Sequence, residues 1–208
     1  MSRITQSACK FCRRENQKLF LKGDRCYTDK CAFERRPYPP GQHGQQRLKF
    51  SEFALQLREK QKTKRYYGVF ERQFQKYFEI ADRKKGVTGT NLLALLESRL
   101  DNVVYLSGLA SSRREAQHLV SHGHYLVNGK KCTISSQSVK VGDVISVRES
   151  SRQTNKIMGA VESAKKREVP KWLQADTASF SVTMKDVPTR EDVTLPVEEN
   201  MIVEYYSR

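Results

Sequence analysis

The chain has 208 residues, enough for one large or two small domains, and carries 38 Lys and Arg against 23 Asp and Glu. Apolar residues are 38%, below the roughly 45–50% usual in globular domains, and no run approaches the ~18 apolar residues of a membrane-spanning helix. The charge is uneven: the first 65 residues hold 17 basic and 6 acidic side chains and the remainder 21 and 17, so a polyanionic partner is expected, with the front third as its main contact.

Two closely spaced cysteine pairs open the chain, Cys9-Lys-Phe-Cys12 and Cys26-Tyr-Thr-Asp-Lys-Cys31. This spacing lets four thiolates converge on one tetrahedral Zn²⁺, which is the expected cofactor, a single structural ion. Disulfides are the bland alternative and need an oxidising compartment. The stretch Met-Ser-Arg-Ile-Thr-Gln-Ser has no apolar signal core, so a cytosolic protein with reduced thiols is expected. An iron–sulfur cluster fits poorly with such charged surroundings. Cys132 reads as a packing residue. Arg13 and Arg14 flank the first pair.

Between the pairs, residues 19–24 read as a short strand and turn. Arg35-Arg36-Pro37-Tyr38-Pro39-Pro40-Gly41-Gln42-His43-Gly44 follows. Its prolines fix φ and remove donors, so it is extended, an arm that offers Arg35, Arg36, Gln42 and His43 to a surface. Ser51 caps a predicted helix to about residue 65, with Phe53, Ala54 and Leu57 inward and Arg58, Lys60, Lys62, Lys64 and Arg65 outward. Gly68 ends it. A second helix carries Phe70, Phe74, Tyr77, Phe78 and Ala81 as a core stripe and stops at Lys84-Lys85-Gly86.

A third helix is predicted over 91–106, with Leu92, Leu93, Leu96, Leu100, Val103 and Val104 inward. Ser112-Arg113-Arg114-Glu115 is a capping box opening a helix that ends before Gly123. Then come a strand at 125–127, a type I′ turn at Asn128-Gly129, a return strand at 130–134, a turn at Gly142-Asp143 and a strand at 144–147. Beyond this the pattern weakens. A helix over 154–167 and strands or extended chain at 180–187 and 193–197 are expected, and 201–206 fits either strand or helix.

No phosphate-binding glycine loop, metalloprotease motif or nucleophile elbow is present, so no catalytic residues are expected. Ser112, Arg113 and Arg114 at a helix N-terminus and Asn128, Lys130 and Lys131 at a hairpin tip frame a basic face. That face suits irregular RNA better than a DNA major groove. His122 and His124 flank it, and Gln117 lies on the same helix; with Arg13, Arg14, Arg58, Lys62, Lys64, Arg65 and the arm, these residues are the expected RNA contacts.

These residues carry a resemblance. Ser112-Arg113-Arg114-Glu115-Ala116, His122-Gly123-His124, Val127-Asn128-Gly129 and Val141-Gly142-Asp143 resemble the small RNA-binding domain named after ribosomal protein four of the bacterial small subunit. The arm at 35–44, the stretch Leu96-Glu97-Ser98-Arg99-Leu100-Asp101-Asn102-Val103-Val104-Tyr105 and the tail Ile202-Val203-Glu204-Tyr205-Tyr206-Ser207-Arg208 extend the likeness to the whole family of that ribosomal protein, in its metal-binding form.

The resemblance implies a non-enzymatic constituent of the small ribosomal subunit. It implies early binding to a multi-helix junction in the 5′ domain of the small-subunit rRNA, contact with ribosomal protein five, and a place near the path by which mRNA enters, bearing on accuracy. It carries metal ligation to Cys9, Cys12, Cys26 and Cys31, and RNA contact to the arm and to Ser112, Arg113 and Arg114. The implied fold is α+β: a zinc-stapled segment with its arm (1–45), an all-helical domain (46–97 with 193–208) and an α/β domain (98–192) whose RNA-binding unit spans about 98–148. Gln117 stands where the family usually has Arg, Ser135-Ser136-Gln137 where it tends to have Pro-Ser-Tyr, and Asn200-Met201 also departs. Two other classes compete. Arg99-Leu100-Asp101 resembles the catalytic stretch of pseudouridine synthases, which would make an RNA-modifying enzyme. A zinc-dependent nucleic-acid-binding regulator is the third reading.

Overall fold

A computed structural model describes residues 6–46, 49–164 and 168–207. The chain divides into two compact units, Met1–Gly89 with Leu195–Arg208, and Thr90–Thr194. The cysteine segment and the first long helices therefore share one unit.

In the first unit, α1 (Ala8–Arg14) carries the first cysteine pair, and α2 (Ala32–Arg35) follows the second. Residues 19–24 do not form the expected strand. Phe20 takes a left-handed φ of 50°, which breaks an extended run, and a 3₁₀ turn at Gly23–Tyr27 follows. The proline arm has neither helix nor strand, as its missing donors require. It bends back on itself: a Cβ on Gly44 would stand 2.0 Å from the Pro39 carbonyl oxygen, so only glycine fits.

Ser51 caps α3 (Glu52–Tyr66), its hydroxyl accepting from the Ala54 N–H at 3.3 Å. The buried face differs from the expected one. Phe53 is 48% exposed, while Gln56, Lys60, Lys62, Thr63 and Tyr66 are buried. The reason is the C-terminal helix α9 (Glu199–Tyr206), which packs along α3 and supplies partners that α3's own periodicity does not reveal. Lys60, 4% exposed, lies 4.5 Å from the centre of the Tyr205 ring and is paired to Glu71. Gln56 donates to Glu204 at 2.8 Å. Gly68, at φ 66°, turns the chain into α4 (Glu71–Arg83). There Phe74 and Ala81 are buried, and Tyr206 stacks on Phe78 with centroids 4.5 Å apart.

The single helix expected over 91–106 is two: α5 (Thr88–Glu97) and α6 (Leu100–Leu106). At the break, Arg99 is extended (ψ 139°) and bridges to Ser138. The carbonyls of Gln137 and Ser135 accept from the N–H groups of Leu100 (2.8 Å) and Asp101 (3.2 Å). The loop at 135–137 thus caps α6 through its main chain, so its side chains can differ from the family pattern without loss of these bonds.

The break is filled by a buried polar network. Arg99 donates a two-pronged fork to the Asp101 carboxylate at 3.0 and 2.6 Å. The Asn102 N–H (2.9 Å) and the Gln117 amide (3.0 Å) donate to the same carboxylate. Asn102 Nδ2 donates to the Glu97 carbonyl at 2.9 Å and also to its carboxylate. Asn102 Oδ1 accepts from Arg113 Nε at 2.7 Å. Asp101 is 1% exposed.

Around this network, α7 (Arg113–Ser121), α8 (Asn155–Ala164) and a five-stranded sheet build the second core from Leu100, Val103, Leu119, Val120, Tyr125, Ile145, Ile157, Trp172 and Val182 among others. The strands are β1 (Tyr125–Val127), β2 (Lys130–Lys131), β3 (Val144–Val147), β4 (Leu173–Asp176) and β5 (Ser181–Met184). They lie in the order β2-β1-β3-β5-β4, every pair antiparallel, with Tyr125 opposite Val147 and Ile145 opposite Val182. Asn128 and Gly129, both at positive φ, make the expected tight hairpin. The return strand is only two residues long. No expected element corresponds to β4, whose Leu-Gln-Ala-Asp sequence lacks β-branched residues. Residues 193–197 form no strand, and 201–206 fall within the helix α9. Within the described residues the helix expected at 154–167 runs to Ala164; residues 165–167 lie outside them.

Candidate nucleic-acid interface

The helix cap that orients the basic face forms as a variant of the expected box. Ser112 Oγ accepts from the Glu115 N–H at 3.2 Å, but the Glu115 carboxylate reaches one residue further back, to the Ser111 N–H at 2.9 Å and the Ser111 hydroxyl. The two arginines at this cap then part company. Arg113 is 6% exposed, bonded to Asn102 and lying 4.5 Å over the Tyr105 ring. Arg114 is exposed. Gln117 is half-buried with its amide on Asp101. Arg113 and Gln117, both expected to meet RNA, are therefore held by the polar network, and Arg114 is the arginine this helix presents to solvent.

Beside Arg114 lies a groove of about 680 Å³ lined by Ser112, Arg114, Glu115, His118, Leu119, His122, His124, Thr154, Asn155 and Lys156. The rings of His118, His122 and His124 run in a near-parallel row, 6.0 and 6.4 Å between centroids. His124 Nδ1 shares a hydrogen bond with Ser151 Oγ at 2.9 Å. Burial, then the charges of His122 and Arg148, hold His124 below the usual imidazole range. His118, Thr154, Asn155 and Lys156 are absent from the expected site. The i, i+4 spacing of His118 and His122 on one helix was the signal available in the sequence. At the hairpin, Lys130 and Lys131 are exposed, while Asn128 is tied to Asp143 (2.8 Å) and to the Val144 N–H (2.9 Å). A Cβ on Gly123 would stand 2.2 Å from Lys131 Cε, so the lysine chain lies across that glycine.

The basic residues of the first unit divide in the same way. Arg14, Arg35, Arg36, Gln42 and His43 are exposed. Arg13 donates to the Tyr38 carbonyl at 2.9 Å and anchors the arm. Arg58 and Arg65 close on the Glu15 carboxylate, the first at 3.4 Å, and Arg65 also covers the Phe11 ring. Burial pushes Glu15 up from its ordinary value, and Arg58, Arg65 and Arg14 pull it back. Lys62 pairs with Glu59 and Lys64 with Glu71, each at 2.7 Å. Four of the cations expected on RNA thus serve internal ion pairs.

Of the four cysteines, Cys12, Cys26 and Cys31 are buried and Cys9 is half-buried, and all are free thiols. Burial pushes Cys12 up to about 11, and the charges of Cys26, Cys9 and Cys31 add to it, so the quartet lies within electrostatic reach of one another. Burial also raises Cys26, against a Lys22 N–H donated to its sulfur at 3.4 Å. Among the described residues, no three or more His, Cys, Asp or Glu are gathered closely enough to hold a metal ion. The donor chemistry of the four thiols suits zinc.

A capped helix and a hairpin set with exposed cations, on a mixed helix–antiparallel sheet unit, define an RNA-binding module. The family profile described as S4 domain matches residues 98–145, and that described as Ribosomal protein S4/S9 N-terminal domain matches 3–97. Small ribosomal subunit protein uS4A of Bdellovibrio bacteriovorus is 67% identical over the full length of both chains. The uS4 proteins of Geotalea daltonii and Trichlorobacter lovleyi are 57% and 58% identical, again over the full length of both. The chain belongs to the family of small ribosomal subunit protein uS4. These relatives are named as ribosomal proteins, not as enzymes, and Asp101, the residue that invites a synthase reading, is buried in an ion pair.

Proposed function

We propose that this chain is a structural, non-catalytic constituent of the cytoplasmic small ribosomal subunit and works by binding small-subunit rRNA. Full-length identity to uS4 proteins carries this reading, and the exposed cations of the groove and hairpin give it a physical basis. The finer reading follows the family resemblance: the RNA is a multi-helix junction in the 5′ domain, bound early in assembly. On the same reading the chain contacts ribosomal protein five and lies near the path by which mRNA enters, where it bears on accuracy. In competition, the purified chain is expected to prefer a folded small-subunit rRNA fragment over duplex DNA and to co-sediment with small subunits. Preference for the duplex would favour the regulator reading, and modified nucleosides in the RNA the enzyme reading.

We also propose that Cys9, Cys12, Cys26 and Cys31 take one structural Zn²⁺. Four thiol donors in two pairs, mutually within electrostatic reach and reduced, support it. When bound, the ion would offset half of the four thiolate charges and tie α1 to the segment before α2. Elemental analysis is expected to find one zinc per chain. Replacing Cys9 and Cys12 by Ser is expected to release it and to make the first ~45 residues protease-sensitive, while Thr90–Thr194 keeps its fold. A metal-free native protein would end this proposal.

A further inference from the structure

We propose that the first turn of α8 belongs to the RNA interface: Thr154, Asn155 and Lys156 form the second wall of the groove, and the row of His118, His122 and His124 makes binding there proton-linked. The inference rests on the RNA-binding reading above and adds residues outside the segment matched by the S4 domain profile.

Charge bookkeeping in the groove motivates it. Its lining holds one carboxylate, Glu115, already engaged by the Ser111 N–H and hydroxyl. The other charged or titratable groups are Arg114, the three histidines and Lys156. Arg148, whose charge reaches His124, and Lys131, lying across Gly123, add further positive charge from the sheet side. Such a predominantly cationic surface suits a ribose–phosphate backbone. Thr154 and Asn155 add a hydroxyl and an amide, neutral donors suited to phosphate oxygens.

The same crowding sets the proton linkage. In the free protein His124 is held below the usual imidazole range by burial and by the charges of His122 and Arg148. Phosphates entering the groove supply the missing negative charge and favour the protonated rings. Binding therefore takes up protons, and affinity rises as pH falls through the histidine range.

The test is the affinity of the full chain for a small-subunit rRNA transcript at one salt concentration, at about pH 6 and about pH 8, on either side of the ordinary histidine value. The wild type is expected to bind about threefold to tenfold more tightly at the lower pH, each extra imidazolium acting as a phosphate-neutralising charge. The His118→Gln/His122→Gln variant should remove most of that difference. Lys156→Ala should weaken binding about threefold to tenfold at both pH values, while Lys185→Ala, exposed but outside the groove, should leave it unchanged. If the wild type binds but Lys156→Ala loses nothing, or the pH difference is absent or survives the histidine variant, the inference is overturned and the RNA-binding reading stands. If the wild type fails to bind rRNA at all, both are overturned.

Discussion

Raising the salt from about 50 to about 200 mM is expected to weaken rRNA binding by about 10³- to 10⁵-fold, the response of a protein making some six to ten phosphate contacts. Counterion release sets this response: each cation that neutralises a phosphate frees a condensed ion, and added salt opposes that gain. Among the expected and newly found interface residues, Arg14, Arg35, Arg36, Arg114, Lys130, Lys131 and Lys156 are exposed cations. Arg58, Arg65, Lys62 and Lys64 already neutralise Glu15, Glu59 and Glu71, which places the expected loss toward the lower end of that range. Filter-binding or fluorescence titrations at several salt concentrations measure the slope. A flat response would mean that the net positive charge of the chain is not what holds the RNA.

Asp101→Ala is expected to cost the second unit about 3–5 kcal/mol, because it removes the carboxylate onto which the buried Arg99 guanidinium forks. Gln117 and the first turn of α6 lose their acceptor at the same time. Trp172 makes the measurement specific. It is the only tryptophan in the sequence, and it sits 3% exposed in the core of that unit, so its fluorescence during urea unfolding reports this core. Replacing both ion-pair partners with apolar residues, Arg99→Met with Asp101→Leu, should cost less than the sum of the single changes, since no lone charge remains. An unchanged midpoint in Asp101→Ala would show that the network is not a determinant of stability.

What could be read from sequence alone was the local chemistry. Ser51 and Ser112 cap their helices, Gly68 takes positive φ where its helix ends, and Asn128-Gly129 turns its hairpin, because each depends on neighbours a few residues away. The break between α5 and α6 was not legible. It is imposed by carbonyls of residues 135 and 137 and by Ser138, more than thirty residues on. The burial of Lys60 in α3 was hidden for the same reason, since the rings that cover it come from the far end of the chain. The interface shows both sides. Arg113 and Arg114 are identical as letters, yet only the position of Asn102 and Tyr105 turns one of them inward. The second wall of the groove, from α8, is brought beside α7 by the core of the second unit, and no spacing in the sequence announces it.

The seating of α9 on α3 has a consequence for how the protein is born. The first unit is completed by residues 195–208, so the segment synthesised first is the one whose packing closes last. At ordinary elongation speeds of about 5–20 residues per second, roughly 5–20 s separate the appearance of residue 89 from that of residue 195. During that interval Lys60 lacks its tyrosine cover and the strongly basic front of the nascent chain is incompletely folded, while the intervening unit, contiguous in sequence, is free to fold on its own.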